Sequence, residues 1–166
     1  MKLGLAIEQV ASAERDIAER LLEVGERHQT DHDVFHMTRT LANKERAHLD
    51  ALARHAGRYG ASLDRDRAEG GERSAPARAL GAARQKGAEL LGRRPEPSLL
   101  LLHDLRELHL LAAGASLDWV ALGQGAQAAK DTDLLATVTE CHNETLQTLK
   151  WTTYRLKEAA PQALTS

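Results

Sequence analysis

The sequence predicts an all-α four-helix bundle made of two antiparallel hairpins joined by a long crossover. Three observations carry this. Alanine and leucine dominate and β-branched residues are few, which favours helix over sheet. In four long segments the apolar residues recur at alternating steps of three and four, the signature of an amphipathic helix. The connections after the first and third segments are short. The middle one holds roughly 35 residues, against the about 2–8 that usually join neighbouring bundle helices.

The first helix is expected over 2–27, with a seam of Leu3, Ile7, Val10, Ile17, Leu21 and Val24. Asp31 and Asp33 offer N-caps for the second, expected over 33–59 and stopped by Gly60. The crossover, 60–97, contains Gly70, Gly71, Pro76, Gly92, Pro95 and Pro97, with a short helix expected near 77–91. The third helix is expected over 98–130, weakened at its end by Gly123 and Gly125. Asp131 or Asp133 caps the fourth, expected over 132–159 and ending ahead of Pro161. This makes one bundle domain over 1–160 and a tail over 161–166. If the crossover runs the length of the bundle, the third helix starts beside the first turn and runs parallel to the second.

The 166 residues are enough for one domain with a sizeable core. A net charge of −2 gives no reason to expect a nucleic acid or an anionic membrane partner. Aromatic residues make up only 3 %, too few for base-stacking platforms. No apolar run approaches the about 18 residues of a membrane span. The N-terminus carries Lys2, Glu8 and Glu14 without a long apolar stretch, so no signal peptide is expected. The single cysteine, Cys141, fits a reducing compartment, and a cytoplasmic location is the expectation.

The informative residues are those that break the seams. Glu14 falls between Val10 and Ile17 in the first helix. Glu45 and His48 fall between Leu41 and Leu52 in the second. A seam read as Leu101, Asp104, Leu108, Leu111, Ala115, Asp118 and Leu122 in the third helix places Asp118 inward. One read as Leu135, Val138, His142, Leu146, Leu149 and Leu156 in the fourth does the same for His142. With the crossover topology, Glu14, Glu45, His48, Asp118 and His142 lie about 11–14 residues from one end, level within about 5 Å. Asp104 lies more than about three turns away and is not expected to join them. A charged group in a seam is costly unless it is paired, hydrogen-bonded or bound to a metal.

Glu45-Arg46-Ala47-His48 reads Glu-x-x-His, with a carboxylate at matching depth on the preceding helix. Residues i and i+3 share a helix face, so one helix can offer a carboxylate and an imidazole together. The pattern and topology resemble the di-iron and di-manganese carboxylate proteins of the ferritin-like superfamily, which pair single glutamates on two helices with Glu-x-x-His on the other two. The resemblance implies Glu14, Glu45, His48, Asp118 and His142 as metal ligands. It also implies iron or manganese as cofactor and ferroxidase-like or peroxide-directed oxidation as the activity. Thr139 departs from the pattern, standing where the second Glu-x-x-His needs its glutamate. Asp118 is one methylene shorter than the family's glutamate. The alternative is a metal-free hydrogen-bonded layer in a non-enzymatic bundle that acts as a dimerisation or partner-binding module.

The remaining features are weaker. His28, His32 and His36 cannot form one stripe because the first turn interrupts them, so a solvated turn is expected there. Arginines and acids alternate in the crossover and largely cancel. Cys141 is expected to be a packed thiol, and Trp119 and Trp151 core or dimer contacts. Glu140, Glu144, Glu107 and His109 are expected to lie off the seams. Leu99, Leu100, Leu110 and Trp151, partly outside them, suggest a homodimer or larger symmetric oligomer through the third or fourth helix.

Overall fold

The computed structural model describes residues 2–63 and 96–166. Helix α1 spans Leu3–Arg27, α2 His32–Ala56, α3 Pro97–Ala128 and α4 Thr132–Thr165, with a 3₁₀ turn over Gly57–Tyr59 after α2. Asp31 caps α2 by accepting from the Val34 amide at 3.1 Å, and Asp131 caps α4 by accepting from that of Leu134 at 3.0 Å. Pro97 opens α3, where its missing N–H costs nothing. Gly60, at φ +65°, reverses the chain after the 3₁₀ turn. The expected helix near 77–91 lies outside the described residues.

The four helices form an all-α bundle in which α1 packs on α2 and α3, and α4 on α3 and α2. The contacts fix the directions. Leu3 meets Gly125, Glu14 meets Trp119 and Arg20 meets Asp104, so α1 and α3 are antiparallel. Lys44 meets Gln147, His48 meets Glu144 and His55 meets Thr137, so α2 and α4 are antiparallel as well. Helix α3 therefore runs parallel to α2 and begins beside the α1–α2 turn, where Asp104 meets Arg27 and His28. At the other end the chain after Gly60 turns back along α1: the Ser62 amide donates to Glu8, and Arg15 donates to the Leu63 carbonyl. Among the described residues no helix is long and apolar enough to cross a membrane.

Helix α3 continues through Gly123 and Gly125 to Ala128, and Gly125 has a packing role. Its missing Cβ leaves the space that the Leu3 side chain fills. Helix α4 does not stop ahead of Pro161 but continues to Thr165. The proline removes one hydrogen bond near the end of a 34-residue helix, while buried Ala163 holds the last turn against the bundle.

The apolar core is divided. One cluster gathers Ile7, Val10, Leu52, Leu122, Leu134 and Val138, and the other Ile17, Leu21, Val34, Leu41, Leu105 and Leu108. Glu14 lies in α1 between Val10 of the first cluster and Ile17 of the second. Two seams differ from the expected phase. In α4 the buried stripe is Leu134, Val138, Cys141, Thr145, Thr148 and Thr152, one position away from the leucine stripe. In α3 Ala112 and Trp119 are buried in place of Leu111 and Asp118. Both changes bring hydrogen-bond donors to face buried carboxylates.

Candidate metal centre

Glu14 from α1 and Glu45 and His48 from α2 are at most 2 % exposed. One ligand atom from each lies within 4.8 Å of the others. His48 Nδ1 is 2.8 Å from Glu14 Oε2 and 3.3 Å from Glu45 Oε2. The surrounding donors come from the other two helices. The Trp119 indole donates to Glu14 Oε1 at 2.6 Å, joined by the Thr145 hydroxyl at 3.3 Å. The Thr148 hydroxyl donates to Glu45 Oε1 at 3.1 Å. On the outer side of the imidazole, His48 Nε2 is 2.8 Å from Glu144 Oε2. Glu45 Oε2 alone among these carboxylate oxygens is buried with no hydrogen bond.

The charges are strongly coupled. Burial, reinforced by the adjacent Glu45 carboxyl, raises the Glu14 pKa to about 8. Burial opposes the charged form of His48, but the Glu14 and Glu45 carboxylates outweigh it and raise the imidazole to about 10. Burial also pushes Glu45 upward, and its contacts with Glu14 and His48 overcome this and hold it below the ordinary range. Both raised groups keep their protons longer in the folded than in the unfolded chain. The stability from His48 is thus complete below about pH 6.5 and lost as pH rises through about 10. Glu14 acts in the same direction between 4.5 and about 8. The melting temperature of metal-free protein is expected to fall steadily from pH 6.5 to 10. A flat profile over that window would contradict this charge arrangement.

Two expected ligands lie elsewhere. Asp118 is half-buried and accepts from Gln9 at 3.4 Å, because the phase of α3 turns Trp119 inward instead. His142 pairs with the Ser116 hydroxyl at 2.8 Å across α3 and α4, because Cys141 and Thr145 take the core side of α4. Thr139 is exposed and bonds the Leu135 carbonyl of its own helix. Glu144, expected to point away, reaches His48. Cys141 is a buried thiol whose pKa burial, with Glu14 and other nearby carboxylates, pushes up to about 12, so it stays protonated and offers no thiolate.

A second group, His103, Asp104 and Glu107, also brings three ligand atoms close together. It already holds its cations. Asp104 accepts from Arg20 at 2.7 Å and from Arg27 at 2.8 Å, and lies 2.8 Å from His28 Nε2. Arg20 also pairs with Glu107. Two guanidiniums so placed oppose a divalent cation. His28 is thus drawn inward, while His32 and His36 stack on each other with ring centres 6.4 Å apart.

The fold and the centre together define an all-α four-helix bundle with a buried carboxylate–histidine cluster. Compared with known proteins, the chain matches no family profile, no curated protein and no solved structure.

Proposed function

We propose that this chain is a ferritin-like bundle protein that binds a single divalent metal ion, iron or manganese, through Glu14, Glu45 and Nδ1 of His48. The observation that carries the reading is the convergence of Glu14, Glu45 and His48 Nδ1 in one buried cluster, in which Glu45 Oε2 accepts no hydrogen bond and is held by the ion pair with His48 at 3.3 Å. An ion pair at that distance leaves the lone pairs of the oxygen without a hydrogen bond, and a metal ion in place of the imidazolium proton would satisfy them. The separations also suit a metal: bonds of about 2.1 Å at right angles put ligand atoms about 3.0 Å apart, between the 2.8 and 3.3 Å found here. Binding would release the protons that Glu14 and His48 Nδ1 hold in the metal-free protein; two carboxylates and a neutral imidazole then neutralise a divalent charge, and this mixed set suits iron and manganese. The direction of α3 and the Glu-x-x-His on α2 support the ferritin-like assignment.

One ion is proposed and not two. Asp118, His142 and Thr139 supply nothing to the cluster, and the Trp119 indole occupies the side of Glu14 that a bridging carboxylate would turn to a second ion. Iron or manganese held here would supply the redox chemistry for oxidase- or peroxide-directed activity. A metal-free structural role is the second reading. It is favoured by the hydroxyl and indole donors that already satisfy Oε1 of both glutamates. In that reading the protein acts through its surface as a homodimer, and the exposed Leu110, Leu117 and Val120 on α3 supply apolar area. Metal analysis after expression in iron- and manganese-supplemented medium separates the two readings. The expected content is one ion per chain, and chelation should lower the melting temperature. Metal-free protein whose melting is indifferent to chelator and to added manganese would refute the metal reading.

A further inference from the structure

Glu14, Glu45 and His48 are sealed from solvent, whereas the Glu144 side chain is 34 % exposed. Glu144 projects from α4 across to α2 and meets the imidazole at Nε2, the nitrogen facing away from the two buried glutamates. Lys44 from α2 stands on the solvent side, with Nζ 3.8 Å from Glu144 Oε1 and 2.9 Å from the Gln147 amide oxygen. A carboxylate at this position accepts the Nε2–H bond. The ring then directs Nδ1 inward, and Nδ1 is the atom that meets Glu14 and Glu45. A ligating imidazole generally needs such an outer partner to fix its orientation and basicity.

We propose that Glu144 is the positioning residue of the centre, holding the Nε2 proton of His48 from the solvent side so that Nδ1 alone faces a bound cation. The inference rests on the metal reading above for its effect on affinity, but the contact itself exists without a metal. Glu144 is therefore an outer partner supplied by the fourth helix, which contributes no direct ligand. Lys44 and Gln147 border it at the surface.

The test compares wild type, Glu144→Gln and Glu144→Ala in the full chain, with Mn²⁺ as probe and free Mn²⁺ measured by electron paramagnetic resonance. Glu144→Ala should weaken binding about 10–100-fold. Glu144→Gln keeps an acceptor oxygen and should restore most of the affinity. Metal-free Glu144→Gln should melt close to wild type, whereas Glu144→Ala, which leaves the His48 Nε2–H without its acceptor, should melt lower. A second readout needs no metal. In ¹⁵N-histidine-labelled protein the His48 Nε2–H signal should be protected from exchange in wild type and Glu144→Gln, and lost in Glu144→Ala. Wild-type affinity in Glu144→Ala, or an unchanged ring signal, overturns the proposal. Failure of the wild type itself to bind Mn²⁺ would instead overturn the metal reading, leaving the ring signal to judge Glu144.

Discussion

Replacing Asp104 with alanine is expected to destabilise the bundle by about 3–5 kcal/mol, the cost of breaking a buried ion pair from one side. Asp104 is fully buried and accepts from Arg20 and Arg27 while contacting His28. Its removal takes from the Arg20 guanidinium, 9 % exposed, a fully buried carboxylate partner, while Glu107 and Glu23 remain in contact. Domains of this size are stable by about 5–15 kcal/mol, so the loss is a large fraction of the total. At about 2–4 °C per kcal/mol, thermal melting should fall by about 10 °C. Asp104→Asn should be nearly as damaging, since it keeps the shape and loses the charge. Burial pushes the Asp104 carboxyl upward, but the hydrogen bond with His28 and the two arginines prevail and hold it below 3.8. Its contribution is therefore present above pH 3.8 and lost as pH falls through the lower folded value. Wild type should lose stability on acidification through this window, and the Asp104 variants should lack that component. Variants that melt within 2–3 °C of wild type would show that the network is energetically idle.

Glu45→Ala is expected to abolish metal binding, because it removes one of the two buried carboxylates that face His48 Nδ1. In the metal-free state it should still cost about 1–3 kcal/mol. The Thr148 hydroxyl loses its acceptor inside the bundle, and His48 loses one of the two carboxylates that hold its charge. Isothermal titration with Mn²⁺ and denaturant melts of the chelated protein measure the two effects separately. Asp118→Ala and His142→Ala should leave Mn²⁺ affinity unchanged, since neither side chain reaches the cluster. A loss of binding in either of these variants would contradict the single-ion geometry.

What was legible in the sequence follows from how sharply each helix is patterned. In α1 the seam from Leu3 to Val24 has polar residues on its flanks, so its phase is unambiguous and Glu14 sits where the pattern puts it. Helix α2 is nearly as clear, and Glu45 and His48 are buried as expected. Helix α3 is apolar almost all round, with leucines at 99–102, 105, 108, 110 and 111. A stripe can be drawn on it at more than one rotation; the leucine pattern puts Asp118 inward at the level of Glu14, and the structure has Trp119 there. Helix α4 misleads for a different reason. Its core face is lined with Thr145, Thr148 and Thr152, whereas Leu135 and Leu146 lie only half-buried at the edge. Thr145 and Thr148 are buried there because their hydroxyls satisfy Glu14 and Glu45, which leucines would leave without those donors, and Thr152 pairs with His109. The signal was present in the regular spacing of Leu134, Val138, Cys141, Thr145, Thr148 and Thr152. Once two inward glutamates are assigned, donors at their level are required, and that stripe supplies them. The Arg20–Asp104–Glu107 network could be read only in part. Asp104 marked a seam, but Arg20 and Glu107 become interior partners only when α1 and α3 are brought together.

Anomalous diffraction from crystals soaked in Mn²⁺ would locate an ion held by Glu14, Glu45 and His48. One anomalous peak per chain is expected, about 2.0–2.3 Å from a carboxylate oxygen of Glu14, from Glu45 Oε2 and from His48 Nδ1. No peak should appear at His103, Asp104 and Glu107. A core without a peak, two peaks about 3.5–4 Å apart, or an ion bound by Asp118 or His142 would contradict the single-ion centre.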